Sequence, residues 1–221
     1  MTAWTPPALR RALRVYLVTD HGLTLGRPLE QVVHAAVRGG ATCVQLREKH
    51  LPTRDFVARA RALKALLAPL GVPLVINDRV DVTLACDADG VHLGQSDMDV
   101  EDARRLLPPQ VFIGWSVETP ADVARAARLP VDCLGVSPVF ATPTKTDTHT
   151  PWGLDGLRQV RAATALPLVA IGGIHAGNAT EVLRHGADGL AVVSALCSAP
   201  DPQAAAAELA ALCADHFKDT P

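Results

Sequence analysis

Two carboxylates, Asp78 and Asp97, each follow an apolar run that ends in polar side chains: Pro73-Leu-Val-Ile-Asn77-Asp78, and Gly90-Val-His-Leu-Gly94 with Asp97 just beyond it. Each also precedes a predicted helix, where an aspartate caps free backbone N–H groups, and taken singly capping is the stronger reading. Together, beside Asn77, they fit Mg²⁺, which takes one or two protein carboxylates and fills its remaining positions with water and phosphate oxygens. A zinc site would want His or Cys instead. His92, alone on its run, reads as a packed or rim histidine rather than a ligand or base.

The cationic counterpart is Gln45-Leu-Arg47-Glu-Lys49. Strand side chains alternate, so Gln45, Arg47 and Lys49 share one face while Val44 and Leu46 take the other. An arginine fork and a lysine point charge on one face suit a polyanion such as pyrophosphate. The competing reading pairs them with acidic residues such as Glu48 or Asp78. Ser116, closing Gly114-Trp-Ser116, either donates to an anion or caps the helix near Pro120, and for a lone serine capping is the stronger reading. The connection from Phe140 to Pro151 is rich in hydroxyls and carries Thr142, Thr144 and Lys145, as a lid or tether commonly does. Gly172-Gly173 and Val193-Ser194 end two further apolar runs. Glycine lets backbone approach an anion, although any tight strand-to-helix turn can use it.

These residues all fall where β-prone runs stop. The runs are Val15 to Asp20, Ala41 to Arg47, Pro73 to Asp78, Gly90 to Gly94, Val111 to Val117, Asp132 to Val139, Pro167 to Gly172 and Gly189 to Ala195. Helical patterns follow them at Leu29 to Arg38, Arg54 to Leu67, Arg79 to Cys86, Val100 to Leu107, Pro120 to Arg128, Leu154 to Ala163, Asn178 to His185 and Pro202 to Phe217. About eight βα units close a TIM barrel, and short units without a long central crossover favour closure over an open doubly wound sheet. The expectation is a single-domain (β/α)8 barrel over residues 1–221, with an N-terminal extension or helix at 1–14 and an active-site loop at 140–151. Barrel chemistry belongs at the carboxyl ends of the strands, where all these residues lie.

Composition narrows the partner. The formal charge is −2, with both signs evenly mixed, which provides neither a basic stripe for nucleic acid nor a polybasic tail for a membrane. No apolar stretch approaches the ~18 residues of a membrane span, and the first residues lack the long apolar core of a secretion signal. The five cysteines are odd in number and scattered, as small core residues of a reducing compartment are. Small-molecule substrates and a cytoplasmic location are therefore expected, with room left for a homo-oligomer. No P-loop, GxGxxG fingerprint or Ser-His-Asp arrangement is present, which speaks against kinases, dinucleotide enzymes and hydrolases.

The ordered pieces YLVTD, QLREK, INDRVDVTLACDADGVHLGQSD, GWS, SPVFATPTK, AIGGI and GADGLAVVSAL resemble the thiamine phosphate synthase family from Val15 to about Pro202. That resemblance implies a TIM barrel joining an aminopyrimidine methyl pyrophosphate to a thiazole ethyl phosphate, with Mg²⁺ and with release of pyrophosphate. Carried onto matching positions, it implies Asp78 and Asp97 for Mg²⁺, and Arg47, Lys49, Asn77, Ser116 and Lys145 for the pyrophosphate. It implies Gln45 for the pyrimidine. Thr142 and Thr144, with backbone at Gly172 or Gly173 and at Val193 and Ser194, are implied for the thiazole phosphate. Ser137, where many relatives have glycine, and the segment 146–150 depart from the family pattern without removing a charged group. Two other readings share the barrel: a thiazole tautomerase, in which a histidine is expected where Glu118 stands, and a non-catalytic sensor of thiazole or thiamine phosphate. The retained Lys49, Asp78, Asp97 and Lys145 favour the synthase.

Overall fold

The computed structural model describes residues 4–142 and 150–218. The strands are β1 (Val15–Val18), β2 (Cys43–Leu46), β3 (Leu74–Asn77), β4 (Gly90–Leu93), β5 (Phe112–Val117), β6 (Cys133–Val136), β7 (Leu168–Ile171) and β8 (Gly189–Val192). Each pairs in parallel with the next, and β8 returns to β1 with Tyr16 opposite Ala191, so the sheet closes into a barrel as expected. The helices are α1 (Pro6–Ala12), α2 (Leu29–Arg38), α3 (Thr53–Leu67), α4 (Val80–Ala85), α5 (Val100–Leu106), α6 (Pro120–Ala126), α7 (Gly153–Ala163), α8 (Ala176–Arg184), α9 (Ser194–Cys197) and α10 (Pro202–His216).

Period-two alternation along the strands separates two cores. Val15, Leu17, Val44, Leu46, Leu74 and Ile76 face outward and pack against the helices. Tyr16, Val18, Cys43, Val75, Phe112, Cys133, Val169 and Ala191 face inward. Each fully buried side chain of this size is worth about 1.5–3 kcal/mol, so a register slip of one residue would forfeit both cores at once. The five cysteines are all free and buried, matching their reading as core residues.

One end of the barrel is plugged. Phe112 fills the space beside Gly90, where an added Cβ would stand 2.6 Å from its ring. Below it, Leu9 of α1 and Leu13 just past its end join the inner core, and Trp4 meets Phe112 edge-on at 5.5 Å. Arg10 ties α1 to Asp188 at 3.0 Å. With the amino-terminal end filled, open space remains at the carboxyl ends of the strands.

Several boundaries differ from the sequence reading. β6 stops at Val136 rather than Val139, because Pro138 has no N–H for the ladder. α8 starts at Ala176, two residues early, since His175 and Asn178 cap one another's backbone and draw the first turn into the helix. β8 ends at Val192, where Ala195 was expected to be strand. The chain there turns into α9, with Cys197 N–H donating to Val193 C=O at 2.8 Å. Among the described residues no helix is long and apolar enough to cross a membrane.

Candidate active site

The open end holds a cavity of about 520 Å³. Its wall includes Gln45, Arg47, Lys49, Asn77, Asp78, Asp97, Ser116, Thr142, Gly172, Gly173, Val193 and Ser194. Every site residue expected from sequence that falls within the described chain is thus on one surface. Thr144 and Lys145 lie outside the described residues.

The cationic wall comes from β2. Gln45 is buried, and its Nε2 donates to Tyr16 Oη at 2.9 Å across to β1. Arg47 Nη1 is 3.3 Å from Asp20 Oδ2, and Lys49 Nζ is 2.5 Å from Asp78 Oδ2. The pairing of Lys49 with Asp78 offered by the competing reading is therefore present. Glu48 is engaged elsewhere, by Arg59 of α3, which leaves Arg47 to a carboxylate on the neighbouring strand end.

The acidic wall corrects three expectations. Asp78 does not cap α4; Arg79 occupies that position without a side-chain cap bond. Instead Asp78 sits in the left-handed region at φ 66, a conformation that aspartate tolerates better than most residues, while its N–H donates to His92 C=O at 2.8 Å. Asp97 does not cap α5, a task done by Asp99; its Oδ2 accepts from Gly94 N–H at 2.6 Å. Ser116 does not cap α6, whose N-terminus is closed by the Thr119–Asp122 capping box. Asp97 and Ser116 are released from capping because Asp99 and Thr119 stand nearer the helix starts, while α4 begins with no side-chain cap at all.

Burial, and the Asp78 carboxylate facing it, hold the Asp97 carboxyl above its ordinary range. The two carboxylates lie side by side, and Lys49 pairs with Asp78. Among the described residues no group of three or more His, Cys, Asp or Glu could hold a metal ion. A cation held here would have two protein carboxylates and would complete its shell with water or substrate oxygens, which fits Mg²⁺ and not zinc.

His92 of β4 enters the cavity wall through a slot. An added Cβ at Gly114 would stand 2.7 Å from its Nδ1, and one at Gly135 would stand 2.9 Å from its Cε1. Two glycines on adjacent strands thus make room for the ring, whose Nε2 is 2.9 Å from Ser116 Oγ. Gln95 Nε2 donates to Ser116 C=O at 2.6 Å. Sequence reading placed His92 at the rim but gave no site role to Tyr16, Gln95 or His175, which also line the cavity. Parity along β1 was the available signal for Tyr16.

The opposite wall is backbone. Gly172 (φ 104) and Gly173 (φ 65) adopt left-handed turns after β7, and a Cβ on Gly172 would meet Pro138 Cβ at 2.7 Å. Asn178 Nδ2 donates to Gly173 C=O at 2.9 Å, fixing the turn beside the cavity.

A family model described as thiamine monophosphate synthase matches residues 15–196, the span that holds all of these walls. The chain belongs to the thiamine monophosphate synthase family. A thiamine-phosphate synthase of Albidiferax ferrireducens is 74% identical over 199 residues, covering 90% of this chain and 91% of that one. Its counterpart from Vibrio parahaemolyticus is 53% identical over 91% of this chain and 98% of its own. Among solved structures, thiamine phosphate pyrophosphorylase from Pyrococcus furiosus superposes with a TM-score of 0.87 at 39% identity, covering 95% of this chain and 99% of that chain. Membership brings the activity: the protein is a transferase of thiamine biosynthesis that forms thiamine phosphate.

Proposed function

We propose that the enzyme condenses an aminopyrimidine methyl pyrophosphate with a thiazole ethyl phosphate, with Mg²⁺ held by Asp78 and Asp97. What supports this reading is the meeting, in one cavity of about 520 Å³, of a cationic wall, a two-carboxylate wall and a glycine-turn wall. Two anionic substrates need two separate anion sites, and the arrangement offers them on opposite sides. The small molecules, rather than nucleic acid or membrane, are the partners of a site this enclosed; we place the enzyme in the cytoplasm, as a monomer or homo-oligomer.

Arg47, Lys49, Asn77 and Ser116 bind the pyrophosphate, joined by Lys145 of the 140–151 loop. Mg²⁺, when bound, would neutralise charge on the leaving group and orient it. Gln45 holds the pyrimidine, its buried amide oriented by the bond from Nε2 to Tyr16 Oη. Thr142, Thr144, the turn at Gly172 or Gly173, and the backbone at Val193 and Ser194 hold the thiazole phosphate. The carbon–oxygen bond to pyrophosphate breaks first, the aminopyrimidine ring delocalises the resulting cation, and the thiazole nitrogen donates its pair to form the new bond. No protein nucleophile takes part. The side chains contribute by positioning two reactants and by charge already in place around the leaving group.

The test is direct: purified enzyme, both substrates, Mg²⁺ or EDTA, with thiamine phosphate and pyrophosphate followed in parallel. Equimolar, metal-dependent appearance of both is expected. Thiazole isomerisation or binding without coupling would instead assign the cavity to a tautomerase or a sensor.

A further inference from the structure

The end of β1 grips the end of β2 through an unusually complete set of bonds. Thr19 N–H donates to Gln45 C=O at 2.9 Å, and Arg47 N–H donates to the fully buried Thr19 Oγ1 at 3.1 Å. Two residues past β1, Asp20 takes the Arg47 side chain: Nη1 donates to Asp20 Oδ2 at 3.3 Å. Asp20 is itself fixed, because Oδ1 accepts from Gly22 N–H at 3.0 Å and caps the short turn His21–Leu23. Arg47 lines the cavity while Asp20 stands behind it, outside the lining.

The geometry points to Asp20 as a positioning residue that, with one oxygen locked on Gly22 and the other on Arg47, holds the guanidinium at the cavity wall for the leaving pyrophosphate. This rests on the pyrophosphate role proposed for Arg47. A guanidinium recognises phosphate oxygens through a planar fork, so its value depends on the plane being set before substrate arrives. The bond to Asp20 uses Nη1 and sets that plane from the protein side. Asp20 touches no substrate and takes no proton.

Both carboxylate oxygens are used, and that makes the role separable from simple capping. Asparagine caps a helical turn as well as aspartate does, yet it has one acceptor oxygen. With that oxygen on Gly22 N–H, its NH₂ would face the Arg47 Nη1 donor. Serine also caps, and is too short to reach Arg47.

The experiment compares Asp20→Asn, Asp20→Ser, Arg47→Ala and the double variant Asp20→Asn/Arg47→Ala with the wild-type enzyme. Circular dichroism and Tm report folding. Kinetics are taken with each substrate varied in turn, and with inorganic pyrophosphate as inhibitor. Loss of a charge-assisted hydrogen bond predicts that both Asp20 variants lose about 10- to 100-fold in kcat/KM for the pyrimidine pyrophosphate and bind inorganic pyrophosphate more weakly. KM for the thiazole phosphate should stay within about twofold, since its anion site lies on the other wall. In the Arg47→Ala background the Asp20 change should cost nothing more. Normal kinetics in both folded Asp20 variants, equal losses for both substrates, or losses that multiply with Arg47→Ala would overturn the inference while leaving the Arg47 assignment in place. If Arg47→Ala is itself normal, the Arg47 assignment falls and takes the inference with it.

Discussion

Lys49 Nζ and Asp78 Oδ2 stand 2.5 Å apart at the mouth of the barrel, so a cation assigned to the leaving group and a carboxylate assigned to the metal neutralise each other in the same structure. Under the proposed assignment, ligand binding would have to separate them. On that proposal each partner would pass to a counter-charge, Lys49 to pyrophosphate and Asp78 to Mg²⁺.

Asp78→Asn tests this exchange. Asparagine tolerates the left-handed φ of 66, so Tm should change little. Turnover should fall by about 10²–10³, the usual cost of removing a preorganised electrostatic group. Asp78→Ala should lose the same activity and, in addition, about 1–2 kcal/mol of stability from forcing a Cβ-bearing residue without a helpful side chain into that conformation. Steady-state assays and denaturant melts separate the two effects.

The Asp97 carboxyl, raised first by burial and then by Asp78, makes stability depend on pH. A raised carboxyl contributes stability that is present below its unfolded pKa and is lost as pH rises through the folded value. Metal-free enzyme should therefore lose this contribution above the acidic range, and Mg²⁺ should restore it when both carboxylates are charged. At about ten times its Kd, Mg²⁺ adds about 1.4 kcal/mol by linkage, or a Tm rise of roughly 3–6 °C for a chain of this size. The rise should be present at pH 7.5, small at pH 4.5, and absent from Asp97→Asn. Differential scanning calorimetry with Mg²⁺ or EDTA reads all three.

Gly172→Ala places a Cβ 2.7 Å from Pro138 Cβ and 2.9 Å from Pro138 Cα at φ 104. The turn must then move. A stability loss of about 1–3 kcal/mol is expected from overpacking and strain, with a raised KM for the thiazole phosphate and an unchanged KM for the pyrimidine substrate. Equal changes in both constants would remove the turn from the thiazole side.

The thiols should be silent in the native enzyme. Burial pushes Cys197 and Cys213 up to about 11 and raises Cys43, Cys86 and Cys133 as well. A thiol with a raised pKa stays protonated, and its contribution to stability is lost only as pH climbs through that raised value. At pH 8 an aromatic disulfide reagent should find almost no thiolate on the folded protein, and all five cysteines after denaturation.

Much of the architecture was legible because strand and helix periods are local. Gln45, Arg47 and Lys49 share a face by parity alone, and they line the cavity together. The bounds of α2 follow from apolar spacing and the Gly39-Gly40 stop, and the helix spans Leu29–Arg38 as expected. α9 escaped notice because Val192 to Leu196 is short and apolar apart from Ser194, and such a run does not distinguish strand from helix. Capping by Asp78, Asp97 and Ser116 was the better reading of each residue alone. It failed because Asp99 and Thr119 stand nearer the helix starts of α5 and α6, and α4 begins without a side-chain cap.

The sequence by itself determined the residue types at the strand ends and the βα count, since hydrophobic period and turn chemistry act over a few residues. Only the tertiary structure decided which charges meet. Lys49 reaches Asp78 over 29 positions, Arg47 reaches Asp20 over 27, and His92 reaches Ser116 over 24 through a slot left by Gly114 and Gly135. Those distances are set by barrel closure and strand register, which bring carboxyl ends of separate strands to one rim and leave no trace in any single stretch of chain.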